Sequence, residues 1–153
     1  MIMDDILSNY ESLHKYFHKS KVSNFDQECA ILITLDYNYS KIKEHMVSLG
    51  GINETKTDLK IVLNRLASDK ASNLIFAHNH TNGNVRFSKT DIQFTIALLY
   101  ITDLMDVGFL DHILLPRGKD LVSMKEMYPK IFSKNWKGIF TKSVYSHLPN
   151  DFK

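Results

Sequence analysis

The run from Glu28 to Leu35, ECAILITL, is filled with branched apolar residues, and a continuous run of that length predicts a strand buried on both faces. Asp36–Ser40 follows as a turn, and the more polar Lys41–Leu49 reads as a second strand that stops at Gly50-Gly51. Upstream, Ile6, Tyr10, Leu13 and Tyr16 or Phe17 recur at helical spacing, which predicts a helix over residues 3–20. Downstream, Thr57-Asp58 is placed to cap a helix whose apolar face is Leu59, Val62, Leu63 and Leu66. Asn73–Ala77 reads as a short strand. After a loop, Ser88 opens a helix that is apolar on most sides from Ile92 to Met105, so it is expected at the centre of the core and to end at Gly108. Phe109–Leu115 is a further buried strand, closed by Pro116-Arg117-Gly118, and Leu121–Met124 adds a short one. Past Lys125 the periodicity fades and no element is predicted. Strands interleaved with two core helices mean an α/β or α+β domain with a mixed sheet.

Composition narrows the class. A chain of 153 residues fits one domain, and 44% hydrophobic with 24% charged residues excludes a globally disordered protein. The net charge of +2 does not by itself argue for a nucleic-acid partner. The lone Cys29 excludes an internal disulfide and any zinc site of paired thiolates, and it fits a reducing compartment. The N-terminus has no apolar core of signal-peptide length. The apolar stretch Ile92–Met105 is broken by polar residues and falls short of the roughly 20 residues a membrane span needs. The expectation is a cytoplasmic domain without a membrane partner.

Candidate chemistry concentrates in Ala77–Asp91, AHNHTNGNVRFSKTD. His78 and His80 leave the end of a strand, where residues two apart point to the same side. A third ligand is available from Asp91 in the first turn of the next helix. Two neutral nitrogens and one carboxylate leave a fourth position open, which is how catalytic rather than structural zinc is held. Plainer readings stand beside this one. His-x-His also describes polar surface, and Ser88-x-x-Asp91 before an apolar helix is a capping box with the shorter acid.

His-x-His, seven residues, Ser, two residues and Asp together resemble the metal motif of the JAB/JAMM (MPN+) metallohydrolases. The flanks resemble the RadC-like branch: Asn79 between the histidines, Gly83 three residues beyond the second, Ser48-Leu49-Gly50-Gly51, Asp111-His112-Ile113, and Glu28 eight residues before Asp36. The likeness runs from about Gln27 to Ser123. It implies a single JAB/MPN-type domain over residues 26–124, with a curved mixed sheet, two core helices and a cytidine-deaminase-like architecture. Residues 1–25 would form an N-terminal helical segment, and 125–153 a basic, aromatic extension packed on the domain. The helical DNA-binding-like module that precedes the domain in full-length RadC proteins is expected to be absent. The chain departs from the pattern at Thr81 and Asn82, where proline and serine are usual, and at Phe87, where a proline precedes the motif serine.

Residue by residue, the resemblance implies that His78, His80 and Asp91 hold one Zn²⁺. Glu28 would be general base and then acid toward a metal-activated water, and Ser88 would help stabilise the oxyanion. Read alone, a charged residue at a strand start such as Glu28 is ordinary surface. Asp111 and His112 are candidates to support the ligands, or equally a buried hydrogen-bonded pair with no direct role. His14, His18, His45 and His147 show no partner spacing and read as surface. The implied activity is zinc-dependent hydrolysis of an amide or isopeptide bond, with a peptide or isopeptide-linked protein as substrate. Two other functions stay open. One is a nucleic-acid-associated protein of DNA repair or mobile elements, for which the tail offers six lysines against two acids, with Trp136 among them. The other is an inactive zinc-binding interaction module. A nucleoside deaminase would need Cys-x-x-Cys, and a barrel amidohydrolase at least about 200 residues.

Overall fold

The structure is a computed structural model that describes residues 6–20, 22–49 and 57–153. Its centre is a five-stranded mixed sheet built from β1 (Cys29–Leu35), β2 (Lys41–Leu49), β3 (Asn73–His80), β4 (Gly108–Pro116) and β5 (Val122–Ser123), in the order β2-β1-β3-β4-β5. β1 runs antiparallel to both neighbours, β3 and β4 run parallel, and β5 returns antiparallel to β4. Parallel neighbours require a crossover, and here the helix α3 (Lys89–Leu104) supplies it.

Alternation along the strands sorts the core into two faces. Cys29, Ile31, Ile33, Ile75, Ala77, Ile113 and Leu115 face the helix α1 (Tyr10–Ser20), which buries Leu13 and Phe17 against them. Ala30, Leu32, Leu74 and Phe76 face the helix α2 (Leu59–Ser68), through Val62 and Leu66, and α3, through Leu98 and Leu99. Asp58 caps α2 by accepting the Lys60 N–H. All seven residues of β1 are buried, as its apolar run predicts.

The structure alters several expected boundaries. The N-terminal helix begins at Tyr10 rather than at residue 3. Ile6 instead pairs with Ser40 in a β-bridge, the Leu7 N–H donates to the Tyr39 carbonyl at 2.9 Å, and Asn9 accepts the Ser12 N–H. That bridge turns Ile6 outward, 55% exposed, and buries Leu7 in its place. Residues 3–5 of the expected helix, and Gly50-Gly51, lie outside the described residues. β3 continues three residues past Ala77, because parallel pairing carries on to His80 opposite Pro116. Gly108 does not end α3. Asp106 takes the left-handed conformation instead, with φ 56°, and Gly108 opens β4. A Cβ at Gly108 would stand 2.3 Å from Asn73 Oδ1, so a side chain there would displace the Asn73 amide, which donates to the Asp36 carbonyl at 3.1 Å.

Only Val122–Ser123 of the last expected strand pairs; Met124 opens the short helix α4 (Met124–Met127), capped by Ser123. The tail continues as α5 (Pro129–Ser133) and α6 (Trp136–Ser146). Phe132 meets Phe109, and the Trp136 and Phe140 rings lie 6.3 and 6.0 Å from Tyr100 on α3. Among the described residues no helix is long and apolar enough to cross a membrane.

Candidate metal centre

His78 and His80 project from the last turns of the β3 ladder onto the face covered by α3, and Asp91 sits in the first turn of that helix. The three side chains converge. His78 Nε2 is 3.1 Å from His80 Nε2 and 3.4 Å from Asp91 Oδ2, and His80 Nε2 is 3.9 Å from the same oxygen. His78 and Asp91 are buried and His80 is partly so. Among the described residues this is the one His/Cys/Asp/Glu group whose atoms are close enough to share an ion.

Hydrogen-bond partners decide which ring nitrogens carry hydrogen. His80 Nδ1 lies 2.8 Å from the Asn84 carbonyl oxygen, which only accepts, so Nδ1 donates and the neutral ring leaves Nε2 as a bare lone pair. His112, on β4, links to Thr95 on α3: its Nδ1 is 2.5 Å from Thr95 Oγ1, whose own hydrogen goes to the Asp91 carbonyl at 2.8 Å. His112 Nδ1 is therefore a donor and its Nε2 an acceptor. His78 Nδ1, 2.7 Å from that Nε2, must donate, which strips His78 Nε2 as well. Two lone pairs and a carboxylate oxygen then face one another with no hydrogen between them. Such a set repels itself unless a cation sits among its members. In a tetrahedral zinc site, bonds of about 2.0–2.2 Å put ligand atoms about 3.3–3.6 Å apart, a span that the three observed separations bracket.

Helix α3 holds Asp91 by both halves of a capping box. Ser88 Oγ accepts the Asp91 N–H at 3.0 Å, and Asp91 Oδ2 accepts the Ser88 N–H at 2.8 Å. Burial alone would raise the Asp91 carboxyl. A proton on His78 Nε2, standing in for the cation when no metal is bound, and the Ser88 N–H together outweigh it and hold the group well below the usual carboxylate range. Burial, and then the neighbouring His78, push His112 well below the usual histidine value, which keeps it neutral as its bonding requires.

The remaining expected residues divide. Glu28 directly precedes β1, partly buried. It stands two residues before Ala30, where the pairing of β1 with β3 ends opposite His78. His112 bonds His78, one of the three converging side chains, at 2.7 Å. Asp111 lies on the other face of β4, where its carboxylate accepts from the Ser123 hydroxyl and from the Lys125 N–H. His45 is not a surface residue; its Nε2 lies 2.7 Å from Asp69 Oδ2, which also accepts from Thr34 Oγ1, so it ties β2 to the end of α2. Between Thr81 and Phe87, side-chain bonds hold the loop. Asn82 Oδ1 accepts the Asn84 N–H, Asn84 Oδ1 accepts the Arg86 N–H, and Lys119 Nζ donates to the Gly83 carbonyl. Phe87 is buried with Leu114 and Met124 and walls the site, its ring 6.1 Å from His78 and 5.3 Å from His112. Thr95 and Asn84 escaped the sequence reading. Thr95 left a signal, since it follows Asp91 by one helical turn in an otherwise apolar run.

A mixed sheet with two core helices, carrying an open His-His-Asp set at the end of its parallel strands, defines a JAB/MPN-type domain. The chain belongs to the RadC-like JAB domain family, whose model matches residues 7–129. Curated relatives named as UPF0758 proteins include one of Thermosynechococcus vestitus, 32% identical over 98 residues (64% of this chain, 39% of that protein). Another, of Porphyromonas gingivalis, is 31% identical over 94 residues (61% and 41%). A third, of Carboxydothermus hydrogenoformans, is 28% identical over 117 residues (76% and 51%). The chain thus spans about half or less of the length of these relatives.

Proposed function

We propose that this chain is a zinc-dependent hydrolase of an amide or isopeptide bond. The observation that carries the reading is the convergence of His78 Nε2, His80 Nε2 and Asp91 Oδ2 as three hydrogen-free donors within 3.9 Å. Two nitrogens, one oxygen and an open position suit zinc, which would supply a Lewis acid to polarise the attacked carbonyl and lower the pKa of a water. His78, His80 and Asp91 would hold it. Glu28, outside the ligand set, is free to take the proton from the attacking water and return it to the departing nitrogen. Ser88 Oγ already accepts the Asp91 N–H, so its own hydrogen remains to be offered to the oxyanion.

The test needs no substrate. Elemental analysis of the purified protein should find about one zinc per chain, and Asp91→Ala should lose it while staying folded. A metal-free parent that takes up no zinc on addition would overturn the reading.

A further inference from the structure

We propose that Asn79 is a positioning residue that holds Glu28 in place. This rests on the reading of Glu28 as the proton-transferring base. Asn79 stands between the two histidines, and alternation sends its side chain to the opposite face of β3 from theirs. There it is fully buried, and its amide spans to the segment leading into β1. Asn79 Oδ1 accepts the Cys29 N–H at 2.6 Å, and Asn79 Nδ2 donates to the Gln27 carbonyl at 3.2 Å. These are the backbone groups immediately before and after Glu28.

The position explains why such a brace is needed. The main-chain ladder between β1 and β3 stops at Ala30 opposite His78, so residues 27–29 lie beyond its last rung. The Asn79 side chain takes the ladder's place for two further residues. A carboxamide is the side chain that suits both ends, since it offers an acceptor to the N–H and a donor to the carbonyl at once. An aspartate keeps the first bond and gives up the second; an alanine gives up both and leaves a buried N–H unpaired. Because the brace rises from the strand that carries the metal ligands, it ties the position of Glu28 to His78 and His80. Arg117 also reaches this segment, meeting Asp26 at 3.0 Å, but Asp26 is almost fully exposed.

The test compares the full-length parent with Asn79→Ala and Asn79→Asp. Amide exchange of Cys29 should quicken about tenfold or more in Asn79→Ala, while amides of Leu74–Ala77 keep their protection. The parent loaded with cobalt(II) should show large pseudocontact shifts at the Glu28 side chain. In Asn79→Ala these should shrink, with cobalt affinity within about threefold of the parent because no ligand is touched. Asn79→Asp, which keeps the Cys29 bond, should retain its exchange protection yet show displaced Glu28 shifts, and it decides the question if the alanine variant does not fold. Parent-like Cys29 exchange and parent-like Glu28 shifts in the variants would overturn the proposal. Failure of the parent to bind cobalt would instead strike the metal reading, and the exchange experiment would still decide the brace.

Discussion

His78 Nδ1 lies 2.7 Å from His112 Nε2, across the parallel pairing of β3 and β4 and 34 positions along the chain. With Thr95 behind it, His112 fixes which nitrogen of His78 is bare, and so which atom can bind a cation. The opposite arrangement, with Thr95 donating to His112, would put a hydrogen on His78 Nε2 and close the site. Removing the relay should therefore weaken metal binding without touching a ligand. His112→Ala should lower zinc affinity about 10- to 100-fold in a competitive chelator titration, and Thr95→Val should lower it less. Unchanged affinity in both variants would show that the relay does not orient His78.

The same histidine should make the metal-free protein sensitive to acid. Unfolded, His112 takes up a proton near pH 6.5; folded, its value is well below that, so it stays neutral. Between the two values the unfolded chain binds more protons, and stability rises with pH. Acidifying below about pH 6.5 should thus cost up to about 1.4 kcal/mol per pH unit from this group. Asp91 adds nothing in that window. Its depressed value contributes stability that is present above about pH 4 and lost only as pH falls through the folded value. Urea denaturation at about pH 7.5 and 5.5 should show the loss, and His112→Gln should flatten it.

Much of this was readable in advance, for reasons that can be named. β1 and β4 are apolar runs buried on both sides, and α3 is marked by a capping serine before a long apolar stretch. The convergence of His78, His80 and Asp91 was legible because three chemically unusual residues are close in sequence. The end of β3 was not, since polar side chains at 78–80 read as loop until the pairing with β4 is known. The pairings His78–His112 and Asn79–Cys29 join distant segments, and nothing local announces them. The tail helices hid for a different reason: α6 buries no residue fully and meets α3 through Trp136 and Phe140 on Tyr100, too short a face to impose a period.

On the proposed reading, Glu28 separates binding from chemistry. It lies outside the donor set, so Glu28→Gln should leave zinc content at parent level. Turnover of any amide or isopeptide substrate the parent accepts should fall about 10²- to 10⁴-fold. Parent-like turnover would remove Glu28 as the proton carrier while leaving the metal site intact.

Ser88 holds two assignments that can be pulled apart. As N-cap of α3 its oxygen satisfies the Asp91 N–H, and Ser88→Ala should cost about 0.5–2 kcal/mol of stability. Asparagine caps helices about as well as serine, so Ser88→Asn should recover most of that loss. It has no hydroxyl to offer an oxyanion, however, and its larger amide donors start from a different point. If the hydroxyl stabilises developing charge, Ser88→Asn should fold like the parent and bind zinc like the parent, yet lose about 10²- to 10³-fold in kcat, the usual cost of one such donor. Thermal denaturation, zinc titration and turnover measured on the same two variants distinguish the cases. Recovery of kcat together with stability would mean that Ser88 serves the helix alone, with Asp91 correctly placed as the whole of its contribution.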